Sequence, residues 1–262
     1  MGSATTQALA ATTSALTAAP GVDLGVAREL FAAVRTLAGS TQLSGALSDA
    51  SASAQARQQV VTSVFGGFSA ASVAVLKAAV AERWSSTEDL LAGIEEAGVR
   101  AAALAQPEVD VEAELFEVGR TIAANPELEL ALGSRLGDAS AKGALIEKLL
   151  TGRAGDATVL IVSSLAQLPR ERRVRSMLSR ALRVVADQRG RTVATIFAAS
   201  ALTDAQVSRL QRTLAARYGT EVSLNVVLDP SVVGGVRIEI GDDVIDATVS
   251  SRLGDLRHRL AG

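Results

Sequence analysis

The 262-residue chain contains no cysteine, so neither a disulfide staple nor a thiolate metal site can be built from it. Aromatic residues make up 3%, against 48% hydrophobic residues in all, so any core must be assembled from alanine, leucine and valine. That composition favours close-packed helices over a β-sandwich. A single histidine, His258, stands in the sequence RHR and is expected on a helix surface, which leaves a Ser-His-Asp triad without its base. No apolar run reaches the roughly 18 to 20 residues needed to cross a bilayer, so membrane contact is expected only through a partner. The opening MGSATTQALAATTSALTAAP lacks the basic and compact apolar regions of a secretory signal and reads as a helical or frayed terminus. Its MGxxxT start fits an acylation pattern too short to carry weight. Phosphate loops of the GxxxxGK[ST] type, GxGxxG before a helix, HExxH, CxxC and GxSxG are all missing, so no catalytic, cofactor or metal residue is assigned.

What the chain does have is an uneven distribution of charge. Residues 88 to 129 carry eleven acidic and two basic side chains, whereas residues 130 to 190 carry five and eleven. Neighbouring segments of opposite sign suit an antiparallel pairing of helices within one chain. PRERRVR at 169 to 175, followed by Arg180, Arg183 and Arg189, also fits a second reading, a nucleic-acid-binding face on the Arg170 to Arg189 helix. A pI near 5.6, the interspersed Glu171 and Asp187 and the want of stacking aromatics favour a solvated face paired with the acidic stretch.

The chain also repeats itself. RELFAAVRTLAGSTQLSGAL at 28 to 47 matches AELFEVGRTIAANPELELAL at 113 to 132 at nine of twenty positions, among them Glu29/Glu114, Phe31/Phe116 and Arg35/Arg120. A four-residue insertion then aligns the string DASA at 49 to 52 with DASA at 138 to 141. Leu30, Val34 and Leu37 in one copy and Leu115, Val118 and Ile122 in the other form helical stripes. Gly39-Ser40, Gly66-Gly67, Asn125-Pro126, Gly152 to Gly155 and Pro169 punctuate the helices. Two successive small bundles result, with the segment 85 to 105 expected to close the first and open the second.

After about Gly190 the period changes from helical to alternating. TVATIFA (192 to 198), VSLNVVL (222 to 228) and VRIEI (236 to 240) read as half-buried strands. Thr203 and Gln206 form a capping box for a helix that carries Val207, Leu210 and Leu214 and ends at Gly219. A parallel crossover is expected for the first strand pair and an antiparallel hairpin for the second. Val249, Leu253, Leu256 and Leu260 close the chain as a helical stripe. The fold class is therefore α+β, mainly α: two helical bundles and a small β-α-β-β-α domain, with boundaries at 1–87, 88–190 and 191–262. Asp229-Pro230 suits a turn, and Gly234-Gly235 permits positive φ or a bulge where the chain re-enters the sheet. Asp242, Asp243 and Asp246 lack the oxygen spacing of a calcium loop and read as turn and capping residues. Trp84 and Tyr218 read as core plugs.

The stretch LDPSVVGGVRIEIGDDVIDATVSSRLGDLRHRL (228 to 260) resembles the closing segment of the delta subunit of F-type ATP synthases, the oligomycin-sensitivity-conferring protein family. The resemblance extends upstream through ALTDAQVSRLQRTLAARYG and ANPELELALGSRLGDASAKGALIEKLL, with Asn125-Pro126, Leu128, Leu132 and Lys142 in place, and covers about residues 88 to 262. It departs from the family pattern at Ala247, where glycine is usual, and in the additional residues 1 to 87, a diverged extra copy without the Asn-Pro and the lysine. The resemblance implies a non-catalytic peripheral-stalk subunit on the cytoplasmic side of the cell membrane. It further implies that the helical domain holds the amino-terminal helix of an alpha subunit and that the carboxy-terminal domain joins a b-type subunit. On that basis the alpha-binding groove lies between the first and fifth helices of the second bundle, at Leu91, Ile94, Val159, Val162 and Leu165. Asp229, Pro230, Gly234, Gly235 and Asp246 are the family-motif residues, with a structural role. No cofactor and no nucleic acid are expected.

Overall fold

The computed structural model describes residues 2–134, 137–170, 173–241, 243–251 and 253. Leu256, Leu260, His258 and Asp242, discussed above, lie outside the described residues. The chain divides into two compact units, Met1–Val184 and Val185–Gly262.

The first unit is helical, and its caps explain where the helices begin and end. Helices α1 (Ser3–Ala18), α2 (Leu24–Ala38), α3 (Thr41–Ser48), α4 (Ala54–Phe65) and α5 (Ala70–Ala81) make up the first repeat. Helix α6 (Thr87–Ala105) follows, and then α7 (Val111–Ala123), α8 (Pro126–Gly133), α9 (Ala139–Leu150), α10 (Asp156–Gln167) and α11 (Val174–Gln188). Asp23, Ser40, Ser53, Ser69, Ser86, Asp110 and Asp138 each accept a backbone N–H inside the following first turn, as N-caps do.

The repeat is structural, but its register differs from the one read off the DASA strings. Helices α3 and α8 each span eight residues and α4 and α9 each span twelve, with connections 49–53 and 134–138 of equal length. No insertion separates the copies. Asp49 closes α3, whereas Asp138 caps α9 in the place that Ser53 takes before α4. The recurring string misled because capping and turn positions both favour Asp and Ser.

Two polar devices recur at matching places in both copies. The Glu29 carboxylate accepts the Ser69 N–H at 2.9 Å and the Ser69 hydroxyl at 2.6 Å, at the start of α5. The Glu114 carboxylate accepts the Gly155 N–H at 3.0 Å and the Thr158 hydroxyl, at the start of α10. The buried Arg57 of α4 donates to the carbonyls of Asp49, Val80 and Ala81. Lys142, at the matching place on α9, donates to the carbonyl of Ser134, which matches Asp49. The first copy therefore has a cation at the lysine position after all, in the form of an arginine.

Helix α6 belongs to both repeats. It packs against α1, α2, α3 and α5 on one side and against α10 on the other. Leu90, Leu91, Ile94, Ala97, Val99, Ala101 and Ala102 are buried around its circumference. Glycines let neighbours approach closely: a Cβ on Gly98 would lie 3.1 Å from the Phe31 ring of α2, and one on Gly93 would lie 2.1 Å from the ring of Trp84. Trp84 is buried, and its indole N–H donates to the Ala79 carbonyl at 2.8 Å, so it is a core plug.

In the second unit, β1 (Arg191–Ala198) is central. It pairs in parallel with β2 (Glu221–Leu228) through the crossover helix α12 (Asp204–Tyr218) and antiparallel with β3 (Val236–Ile240). β3 pairs antiparallel with β4 (Asp243–Asp246), giving the order β2-β1-β3-β4. The expected hairpin between the second and third strands is thus corrected: β3 crosses to the far side of β1, and the hairpin is β3–β4. Asp243 to Asp246 form a strand instead of a turn end. β1 is hydrogen-bonded on both edges, to β2 and to β3, and so takes the centre of the sheet, while β2 is left at the edge with Leu228 at its end 54% exposed. The capping box of α12 forms as expected, with Thr203 N–H donating to Gln206 Oε1 at 2.8 Å, and the helix ends at Gly219 with φ 72°. Leu214 packs with Ala194, Ile196, Val222, Ile238 and Ile240 as the core. Tyr218 sits half-buried at its edge with its hydroxyl donating to Asp243 at 3.2 Å, so it is a rim residue and not a plug.

Candidate functional site

The loop 229 to 235 explains how β3 reaches the far edge of β1. Asp229 N–H donates to the Ala198 carbonyl at 2.9 Å, tying the loop to the end of β1. The Asp229 carboxylate accepts the Ser231 N–H at 2.9 Å and its hydroxyl at 2.7 Å, which fixes the turn at Pro230. Hydrogen bonds from Ser231 hold this carboxyl below the usual aspartate range. Gly234 and Gly235 have φ of 64° and 77°. A Cβ on Gly235 would stand 2.3 Å from the Ala247 carbonyl oxygen, so glycine is required there by both conformation and space. Val249 N–H donates to the Gly234 carbonyl at 3.1 Å, and the Asp246 carboxylate accepts the Thr248 N–H at 3.0 Å. The motif residues thus lock the loop before β3 against the chain after β4. Their part is geometric.

The acidic and basic stretches meet within the first unit. Arg170 pairs with Glu88 at 3.2 Å and with Glu95 at 3.1 Å, Arg180 with Glu96 at 3.4 Å, and Arg175 with Glu129 at 3.0 Å. Glu96 also holds Arg100 at 2.8 Å, one turn along α6. Arg170 and Glu95 have side chains only 9% and 7% exposed, so this pair is internal, whereas Glu88 and Arg175, at 73% and 52%, lie on the solvated face. Three arginines of the segment considered for nucleic acid are therefore committed to carboxylates.

The five residues proposed as a partner contact lie on α6 and α10, which pack together. Leu91, Ile94, Val162 and Leu165 are buried, and Val159 is half-buried. A separate apolar groove, which sequence reading missed, runs between α7, α8 and α9 and encloses about 750 Å³. Leu145 and Leu149, one turn apart on α9 and each 38% exposed, stand on its open wall, although their spacing alone reads as core. Among the described residues no group of three or more His, Cys, Asp or Glu side chains is placed to hold a metal ion, and no helix is long and apolar enough to cross a membrane.

The family ATP synthase delta (OSCP) subunit matches residues 95–260. Relatives extend the likeness to the whole chain. "ATP synthase subunit delta" of Leifsonia xyli subsp. xyli is 48% identical over 100% of both chains, and that of Streptomyces avermitilis is 36% identical over 94% of this chain and 93% of its own. The Streptomyces griseus protein of the same name is 35% identical over 100% of both. The chain belongs to the ATP synthase delta (OSCP) subunit family. It is a non-catalytic peripheral-stalk subunit, part of the membrane-bound ATP synthase and associated with other subunits of that complex.

Proposed function

We propose that this subunit couples the catalytic head to the stalk by gripping two different neighbours. The helical unit takes the amino-terminal helix of an alpha subunit, and the sheet domain takes a b-type stalk subunit, at the cytoplasmic face of the cell membrane. Residues 1–87 are read as an extra copy of the bundle, 88–190 as the family bundle and 191–262 as the stalk-binding domain.

The observation that supports a mechanical coupler best is α6, buried around its circumference between two repeats. A member that resists torque needs continuous packing, because packed interiors have low compressibility and transmit strain. The alpha contact is placed at the seam of α6 and α10. Val159 is its partly open entry, and Leu91, Ile94, Val162 and Leu165 shape the seam beneath it.

Titration of the full chain with a synthetic peptide of the alpha amino terminus, followed by calorimetry, tests this reading. Saturable binding is expected, and Val159→Asp should weaken it about tenfold, the loss that ~1.4 kcal/mol gives. Absence of heat, or equal affinity for Val159→Asp, overturns the placement. Recovery of a coupled head and membrane sector from cells lacking the chain overturns the function.

A further inference from the structure

We infer that the groove between α7, α8 and α9 is a second docking site, for an amphipathic helix of another polypeptide that carries an aliphatic face and a basic flank. Val118, Ile122 and Ile146 form its buried floor, and Leu145 and Leu149 stand open on one wall. The lining is apolar, and its charged members Glu117, Glu127 and Arg153 are exposed at the mouth instead of converging on the floor. That arrangement suits a helix laid in a groove, with apolar anchors inward and charges at the rim, better than a small ligand, which would need polar groups inside.

The sign of the rim selects the flank. Glu117 and Glu127 outnumber Arg153, while the third acid of the lining, Glu114, is already occupied at the start of α10. Glu117 is joined to Arg120 only by an exposed contact at 3.2 Å, one that a partner's lysine or arginine can replace at little cost.

The chain supplies its own comparison. At the positions matching Leu150 and Arg153 the first repeat has Phe65 and Phe68, whose rings lie 5.3 Å apart, and Phe65 is buried. The scaffold therefore accepts two aromatic rings at this end of the α2/α4 pair, where the second copy has the smaller Leu150 and the charged Arg153. The site is separate from the α6/α10 seam and does not depend on an alpha helix docking there.

The test uses the assembled membrane complex, with the photoreactive residue p-benzoylphenylalanine replacing Leu149 in the full chain. Illumination should join Leu149 to a segment of another polypeptide that has apolar residues at helical spacing and lysine or arginine beside them. Glu117→Lys combined with Glu127→Lys should lower the yield of that adduct by about fivefold, because the rim charges are then reversed. The same probe at Leu130, exposed but outside the groove, should not give it. If the Leu149 probe prevents assembly, the probe at Leu145 takes its place. The proposal fails if the complex is recovered but the adduct is absent, lies within the same chain or on a second copy, lacks a basic flank, or forms equally from Leu130. Failure to recover the chain in any complex would count instead against its place in the stalk.

Discussion

Glu29 and Glu114 occupy matching places, and the structure predicts that removing them has unequal costs. Helix α10 starts at Gly155, which has no side chain to cap it, so the Glu114 carboxylate is the group that accepts the Gly155 N–H at 3.0 Å and the hydroxyl of the fully buried Thr158. Glu114→Ala removes a cap, worth about 0.5–2 kcal/mol, and leaves a buried hydroxyl without its acceptor, worth about 1 kcal/mol more. The total is ~1.5–3 kcal/mol. Each helix keeps one further cap, Ser69 accepting the Ser72 N–H at 3.3 Å in α5 and Gln106 Oε1 accepting the Ala157 N–H at 2.7 Å in α10, but the exposed Ser69 hydroxyl can turn to water where the buried Thr158 hydroxyl cannot. Glu29→Ala should therefore cost only ~0.5–1 kcal/mol. Trp84, buried and the sole tryptophan, reports the unfolding of the helical unit by fluorescence. With a urea slope of ~2 kcal/mol/M the midpoints should fall by about 1 M for Glu114→Ala and by about 0.4 M for Glu29→Ala. Acidity adds a check. Burial pushes the Glu29 carboxyl up, but hydrogen bonds from Ser69 and Ser72 outweigh it and leave the group below its ordinary range. A depressed folded value means stabilisation present above the unfolded value of about 4.3 and lost as pH falls through the folded one, so the Glu29→Ala deficit should shrink towards pH 3. Equal midpoint shifts for the two variants would refute the reasoning.

Other expectations follow from the same structure. Arg57→Leu strips hydrogen bonds from the carbonyls of Asp49, Val80 and Ala81 and should destabilise the helical unit by ~3 kcal/mol, with partial recovery in Arg57→Lys, read by the same urea titration. Gly235→Ala places a methyl against the Ala247 carbonyl at positive φ and should cost ~3 kcal/mol, whereas Gly241→Ala, at φ 57° with open space around it, should cost ~1 kcal/mol; amide chemical shifts of the sheet domain during denaturation separate the two. The Asp246 carboxyl is held below its ordinary range by hydrogen bonds from Thr248, so its contribution is present above about pH 4 and lost on acidification, and Asp246→Asn should flatten the acid limb of the sheet domain's stability profile.

The helical half was legible because its signals are local. Gly39, Gly66 and Pro169 stop helices where backbone chemistry requires it, and the stripes of Leu30, Val34 and Leu37 and of Leu115, Val118 and Ile122 are buried as their spacing implied. That the acidic and basic segments meet was also legible, since it needs only sign, but their expected antiparallel order was not: Arg170 pairs with Glu88 and Glu95 and Arg180 with Glu96. Strand order was not. Whether the chain after Leu228 turns back on β2 or crosses to β1 depends on which strand can be covered on both edges, and that is decided by the sheet and not by Asp229-Pro230. The inward stripe of Leu91, Ile94, Val162 and Leu165 looks the same in sequence whether a partner or the chain's own helices cover it. The groove beside Leu149 escaped notice because leucines at helical spacing are usually core, and only the neighbouring helices reveal which remain open.

Because α6 serves as the last helix of one repeat and the first of the next, the two copies have no joint between them. Cutting the chain near Ser86 would not yield two halves: the piece keeping α6 would expose the small-residue surface around Gly98, Ala101 and Ala102, and the other would lose the helix against which α2 lies. Two copies spliced through a common helix are bound to each other, since neither can be removed and leave the other folded as it is now.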